Sequence, residues 1–110
     1  MADVVVVGAG LGGCLLTLSL HQQGFRVTII DRHSTYPAEF RAEQIVGSQL
    51  DVLRRFGVLN GMVAGVPLIS EAQAYTRGRL LAPVSTLYYG LSYQTMAQAV
   101  RNQIPGAVPL

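Results

Sequence analysis

The chain opens on an unbroken apolar run, Val4–Val7, followed at once by Gly8-Ala-Gly-Leu-Gly-Gly13. Four β-branched residues in succession suit a short strand buried on both faces, the pattern of a central parallel strand. From Leu11 a helix is expected to about Gln23, with Gly24 at the position that ends helices without a Cβ penalty. Phe25–Ile30 is a second β-rich run, closed by Asp31. Residues 32–37 are polar and contain a proline, as a surface loop would. Ser48 is placed to cap a helix in which Leu50, Leu53 and Phe56 form an apolar stripe ended by Gly57. Residues 58–63 read as a short continuation with Asn60 as a second cap. From Pro67 the period changes. Leu68–Thr76 and Leu80–Thr86 are expected strands, joined through Arg77-Gly78-Arg79 with Gly78 at a positive φ. Tyr88–Leu91 is expected as a loop. Ser92 then caps a last helix, Tyr93 to about Gln103, with Met96, Ala97 and Val100 on one face and Pro105-Gly106 as its stop.

This order predicts an α/β fold: a Rossmann-like βαβ unit with parallel strands, plus an antiparallel hairpin excursion. Gly8, Gly10 and Gly13 fall in the G-x-G-x-x-G spacing where the first strand turns into the first helix. Gly8 permits the tight turn, Gly10 lets backbone approach a pyrophosphate, and Gly13 lets the helix pack on the strands. The helix's free N–H groups and positive dipole end favour the phosphate charge. Asp31, at the carboxyl end of the second strand, is where a carboxylate can accept hydrogen bonds from ribose hydroxyls. Glycine turns alone are common. Here strand, helix, second strand and terminal acid bracket the motif, and dinucleotide binding is the reading they favour.

Composition narrows the picture without redirecting it. At 110 residues, with 50% hydrophobic and 13% charged, the chain is at most one globular domain and small for a doubly wound fold. All 8 basic residues are arginine, and a net charge of +2 spread along the chain makes no basic stripe, so no nucleic-acid partner is expected. The single Cys14 excludes an internal disulfide and fits a reducing compartment; it is expected as a small buried helix residue. The chain leads directly into a core strand, and Leu11–Leu20 is too short to span a bilayer, so a cytoplasmic location without membrane association is expected. No Ser-His-Asp arrangement, metal-spaced Cys and His, or acid–base pair appears, and no catalytic or metal-binding residue is assigned. His21 and His33 are expected as solvated positions, and Tyr88, Tyr89 and Tyr93 as half-buried packing residues.

The arrangement resembles the amino-terminal quarter of the single-component FAD-dependent monooxygenases, the aromatic hydroxylases related to para-hydroxybenzoate hydroxylase. The resemblance rests on Val4 to Asp31-Arg32, on Phe40-Arg-Ala-Glu-Gln-Ile45, and on the helix Leu50-x-x-Leu53-x-x-Phe56-Gly57-Val-Leu59. The hairpin around Gly78 and the stretch Tyr89–Met96 extend it over nearly the whole chain. It implies FAD as cofactor, held through its ADP half by Gly8, Gly10, Gly13, Asp31 and Arg41, with Arg32 a further candidate. It implies NAD(P)H as reductant in the complete enzyme and a small organic, often aromatic, molecule as substrate. By the same resemblance, residues 1–110 are the N-terminal part of an FAD-binding domain, with the fingerprint at 1–31 and the start of a substrate domain at 67–88. The domain is therefore expected to be incomplete, with another parallel strand due beyond Pro105. With one clear parallel partner for the first strand, self-association through apolar edges is expected. Two features depart from the family pattern. Thr17 stands where glycine or alanine is usual and is expected to loosen helix–strand packing. Tyr93 and Gln94 fill the region where an arginine often opens the return helix, so no cofactor contact is carried over there. Other FAD or NAD(P)-dependent enzymes (dehydrogenases, reductases, halogenases) share the fingerprint and remain alternatives, as does a truncated product without catalysis.

Overall fold

The computed structural model describes residues 1–82 and 84–106. Strand β1 (Val4–Val7) pairs in parallel with β2 (Val27–Ile30), Val4 opposite Val27 and Val7 opposite Ile30, and helix α1 (Leu11–Gln22) makes the crossover. The turn glycines do what the spacing requires. Gly8 has a φ of +101°, a conformation costly for any side chain, and its N–H donates to the Ile30 carbonyl at 2.8 Å. Gly24, φ +90°, follows the C-cap Gln23. Phe25 is not part of the second strand, which begins at Val27. Asp3 instead ties down the approach, accepting from the Arg26 backbone and guanidinium at 2.9 and 2.7 Å.

After the loop come β3 (Ala42–Val46), α2 (Ser48–Phe56), the single turn α3 (Leu59–Met62), β4 (Leu68–Ala72), the two-residue strands β5 (Tyr75–Thr76) and β6 (Arg79–Leu80), β7 (Val84–Ser92) and α4 (Tyr93–Arg101). The expected hairpin forms, but its first strand is broken into β4 and β5, Arg79 belongs to β6 and not to the turn, and 81–82 are not strand; β5 and β6 are antiparallel across a tip in which both Arg77 and Gly78 have positive φ. The expected loop at Tyr88–Leu91 does not form. That stretch is the middle of β7, a nine-residue strand flanked by β3 and β4, both antiparallel to it. β3 pairs with all of Tyr88–Ser92 and β4 adds a second partner at Tyr88 and Tyr89, pairings that local composition cannot reveal. Two caps also differ. Gly47 and Val58, not Ser48 and Asn60, hold the N-cap positions of α2 and α3. Ser92 is the cap of α4, its hydroxyl accepting from the Thr95 N–H at 3.1 Å. The strand expected beyond Pro105 falls on residues 107–110, outside the described residues.

The core lies on one face of the parallel pair. Val6, Ile29, Cys14 and Leu18 pack with Leu50, Leu53, Val58, Leu59 and Met62 from α2 and α3, and with Met96 and Val100 from α4. The other face of β1 is bare: Val5 is 56% and Val7 79% exposed. The expectation of burial on both faces is thus corrected, because helices cover only one side of this two-stranded sheet. Thr17, expected to loosen packing, is buried and donates its hydroxyl to the Gly13 carbonyl at 2.8 Å, a bond that satisfies it within its own helix.

Candidate cofactor-binding site

The site is built where β1 turns into α1. Gly10 caps the helix without a side-chain hydrogen bond, and no acidic residue occupies the first turn. Its leading N–H groups have no intrahelical acceptor, and the dipole there is positive. The three motif glycines differ in kind. A Cβ on Gly13 would collide with the carbonyl oxygen of Gly8, so this glycine allows helix and turn to touch. A Cβ on Gly10 would meet only the Tyr93 hydroxyl, 3.8 Å away. The side chain that Gly10 lacks therefore leaves open space at the helix mouth.

Asp31 closes one side. Its Oδ2 accepts from the Ala9 N–H at 2.8 Å and its Oδ1 from the His33 N–H at 2.7 Å, so the carboxylate bridges the glycine turn and the loop after β2. These two backbone bonds, the Ala9 bond foremost, hold its carboxyl below the usual carboxylate range; burial opposes them and Arg101 adds to them. His33, half-buried, also brings Nδ1 to 3.7 Å of Oδ1. Arg32 is exposed and stands outside these contacts.

Arg41 closes the other side. Its guanidinium lies 4.2 Å from the Tyr93 ring centroid, while Nε donates to Glu43 at 2.8 Å and Nη1 stands 3.6 Å from Glu39. Tyr36 meets Tyr93 edge-on at 5.6 Å and donates its hydroxyl to Glu39 at 3.0 Å. The Tyr93 N–H donates to the Arg41 carbonyl at 2.8 Å, fastening the start of α4 to the residue before β3. A cleft of about 410 Å³ opens beside this cluster, bordered by Leu11 at the helix mouth and by Arg41, Tyr93 and Met96.

A sequence profile of the FAD binding domain family matches residues 1–98. The chain belongs to this FAD-binding family. As an FAD-binding chain it is 28% identical over 61 residues to squalene epoxidase of Schizosaccharomyces pombe, a match spanning 56% of this chain and 13% of that enzyme. Among solved structures it superposes on p-nitrophenol 4-monooxygenase from Pseudomonas putida with a TM-score of 0.80 at 22% identity, covering 100% of this chain and 31% of that one. It superposes equally on a 2-methyl-3-hydroxypyridine-5-carboxylic acid oxygenase, TM-score 0.80 at 16% identity, covering 99% of this chain and 31% of that one. PqsL of P. aeruginosa gives 0.78 at 21%, covering 99% and 33%. The FAD-binding chain thus spans about a third of these three structures, which share its fold.

One residue of this neighbourhood escaped the sequence reading. Arg101, in the last turn of α4, is 7% exposed, and its Nη2 lies 3.2 Å from Asp31 Oδ1. An arginine near a helix C-terminus ordinarily reads as a solvated charge complementing the dipole. The available signal was its spacing: Ala97, Val100 and Arg101 fall at i, i+3 and i+4 on the buried stripe.

Proposed function

We propose that the chain is the FAD-holding portion of a monooxygenase that takes electrons from NAD(P)H and places one oxygen atom of O2 on an organic substrate, with aromatic rings the first class to try. The observation that carries this reading is the Asp31 carboxylate fixed across the mouth of α1, beside the open space left by Gly10. The donor set fits the ADP half of FAD. The α1 amides meet the pyrophosphate, Gly8 and Gly13 keep turn and helix close enough for that approach, and Asp31 receives the adenosine ribose hydroxyls. Arg41 lies on its Tyr93 platform at the rim, available to the phosphates; Arg32 is the more peripheral candidate. When bound, FAD supplies the redox and oxygen chemistry, while these residues bind and orient it. The aromatic preference is supported by two of the structural neighbours, oxygenases of p-nitrophenol and of a hydroxypyridine carboxylic acid. The layout proposed with it makes residues 1–31 the fingerprint and residues 67–88, the β4 to β7 excursion, the beginning of a substrate domain. Among the described residues no helix is long and apolar enough to cross a membrane. A reducing, cytoplasmic setting is proposed on the buried, unpaired Cys14.

The test is titration of the purified chain with FAD, following flavin fluorescence and thermal stability together. Binding with a rise in melting temperature is the expected result, since a ligand that selects the native state stabilises it. The reductant and substrate are then tested in a chain that includes the remaining domain, by NAD(P)H consumption stimulated by candidate ring compounds. Absence of FAD binding, accompanied by association of the chain with itself, would instead favour a product without catalysis of its own. The bare face of β1 makes that second reading a specific one.

A further inference from the structure

We propose that Arg101 is a positioning residue for ribose recognition: from inside the fold it holds Oδ1 of Asp31, so that Oδ2 is presented to the hydroxyls of the adenosine ribose. The proposal rests on the FAD reading above and deepens it.

The argument begins with the cost of the arrangement. A guanidinium keeps its charge in proteins, and a buried charge without a counter-ion is strongly destabilising. Arg101 is 7% exposed, and Asp31 Oδ1 is the anion at its tip, 3.2 Å from Nη2. That approach is an ion-pair contact with poor hydrogen-bond alignment, for neither Nη1 nor Nη2 has a hydrogen-bond partner among the described residues. For core stability alone, an apolar side chain would serve this position on the Ala97–Val100 stripe as well or better.

The division of contacts on the carboxylate shows what the charge does. A carboxylate offers about four acceptor positions on its two oxygens. Oδ1 accepts the His33 N–H at 2.7 Å and also faces the buried Arg101 charge, with Nη2 at 3.2 Å. Among the described residues Oδ2 accepts the Ala9 N–H alone, at 2.8 Å. That bond sets Oδ2 against the glycine turn, since Ala9 stands between Gly8 and Gly10. Arg101 thus anchors Oδ1 by charge, and Oδ2, at the glycine turn, is left for the ligand. The residue acts on the ligand through its contact with Asp31.

The experiment compares two ligands: FAD, and the FAD analogue whose adenosine ribose lacks both hydroxyls. The wild-type chain is expected to prefer FAD by about tenfold or more, the value of a hydrogen bond to a charged acceptor. In Arg101→Met that preference is expected to fall toward unity while the analogue still binds with nearly wild-type affinity. Arg101→Lys, which retains the charge, is expected to fold and to restore most of the preference. It keeps the test decisive should Arg101→Met not fold, because a Lys variant with no preference at all overturns the proposal. Equal weakening of both ligands in Arg101→Met also overturns it, since a purely structural residue would give that result. If the wild-type chain binds FAD and the analogue equally, the proposal fails and the FAD reading stands. If it binds neither, both fail together.

Discussion

Three neighbouring glycines should respond to the same substitution in three different ways. Gly12, in the first turn of α1, is exposed and a Cβ there meets nothing within 4 Å. Gly12→Ala should therefore stabilise the chain by about 0.5–1 kcal/mol, through helix propensity and a less flexible unfolded state. Gly13→Ala gains the same term but drives a methyl into the Gly8 carbonyl. Overpacking costs about 1–3 kcal/mol, and the upper end applies here because the opposing atom is backbone. Gly8 cannot yield easily, since its φ of +101° and its bond to Ile30 define the turn. The net effect is a destabilisation of about 2 kcal/mol, and so a gap of about 3 kcal/mol between adjacent substitutions. At about 4–8 °C per kcal/mol for a small domain, their melting temperatures should differ by more than about 10 °C. Gly10→Ala is the third case. Its backbone suits alanine, so stability should change by less than about 1 kcal/mol. The methyl, however, occupies the space assigned to the pyrophosphate, and FAD affinity should drop by at least about tenfold, or about 1.4 kcal/mol. Thermal unfolding and flavin fluorescence titration read all three. Melting temperatures of the Gly12 and Gly13 variants that move together would refute the packing argument. Unchanged FAD affinity in Gly10→Ala would refute the assignment of the open space.

Other outcomes follow from the same contacts. Asp31 has its folded-state pKa depressed, first by the Ala9 N–H bond, so the stability it contributes is present above the ordinary carboxylate value and is lost as pH falls through the lower folded value. Urea midpoints measured from pH 6 to pH 2 should fall less steeply in Asp31→Asn than in the wild type; parallel curves would contradict the linkage. The Cys14 thiol, fully buried, is pushed up to about 11 by burial, with Arg101 opposing, so at pH 8 it should resist a disulfide reagent until urea is added. Rapid stoichiometric labelling of the native chain would count against that placement. Val7→Lys, on the bare face of β1, should reduce self-association in sedimentation while changing stability by no more than about 0.5 kcal/mol. An undiminished assembly would move the contact elsewhere.

The parts legible in the sequence were those whose signal is local. The β1–α1–β2 unit was readable because apolar run, glycine spacing and terminal acid all lie within 31 residues and serve one turn. The buried faces of α2 and α4 followed from three- and four-residue spacing, and Ser92 from its place ahead of a helix. What escaped depends on residues distant in the chain. Tyr88–Leu91 is strand because β3 pairs along it and β4 joins at Tyr88 and Tyr89, both from elsewhere in the chain. Val5 and Val7 look like core in any window, yet their exposure is decided by how few layers surround the sheet. Asp31 was visible as the acid ending a strand. Its partner Arg101 was not, since 70 positions separate the two and nothing in the sequence between them announces the pair.

Ser92 is both the last residue of β7 and the cap of α4, and the Tyr93 N–H is bonded to the Arg41 carbonyl. No slack separates the long antiparallel arm from the helix mouth. A change in the tilt of β7 would therefore be passed, with no intervening loop, to the Tyr93 ring and the guanidinium lying on it.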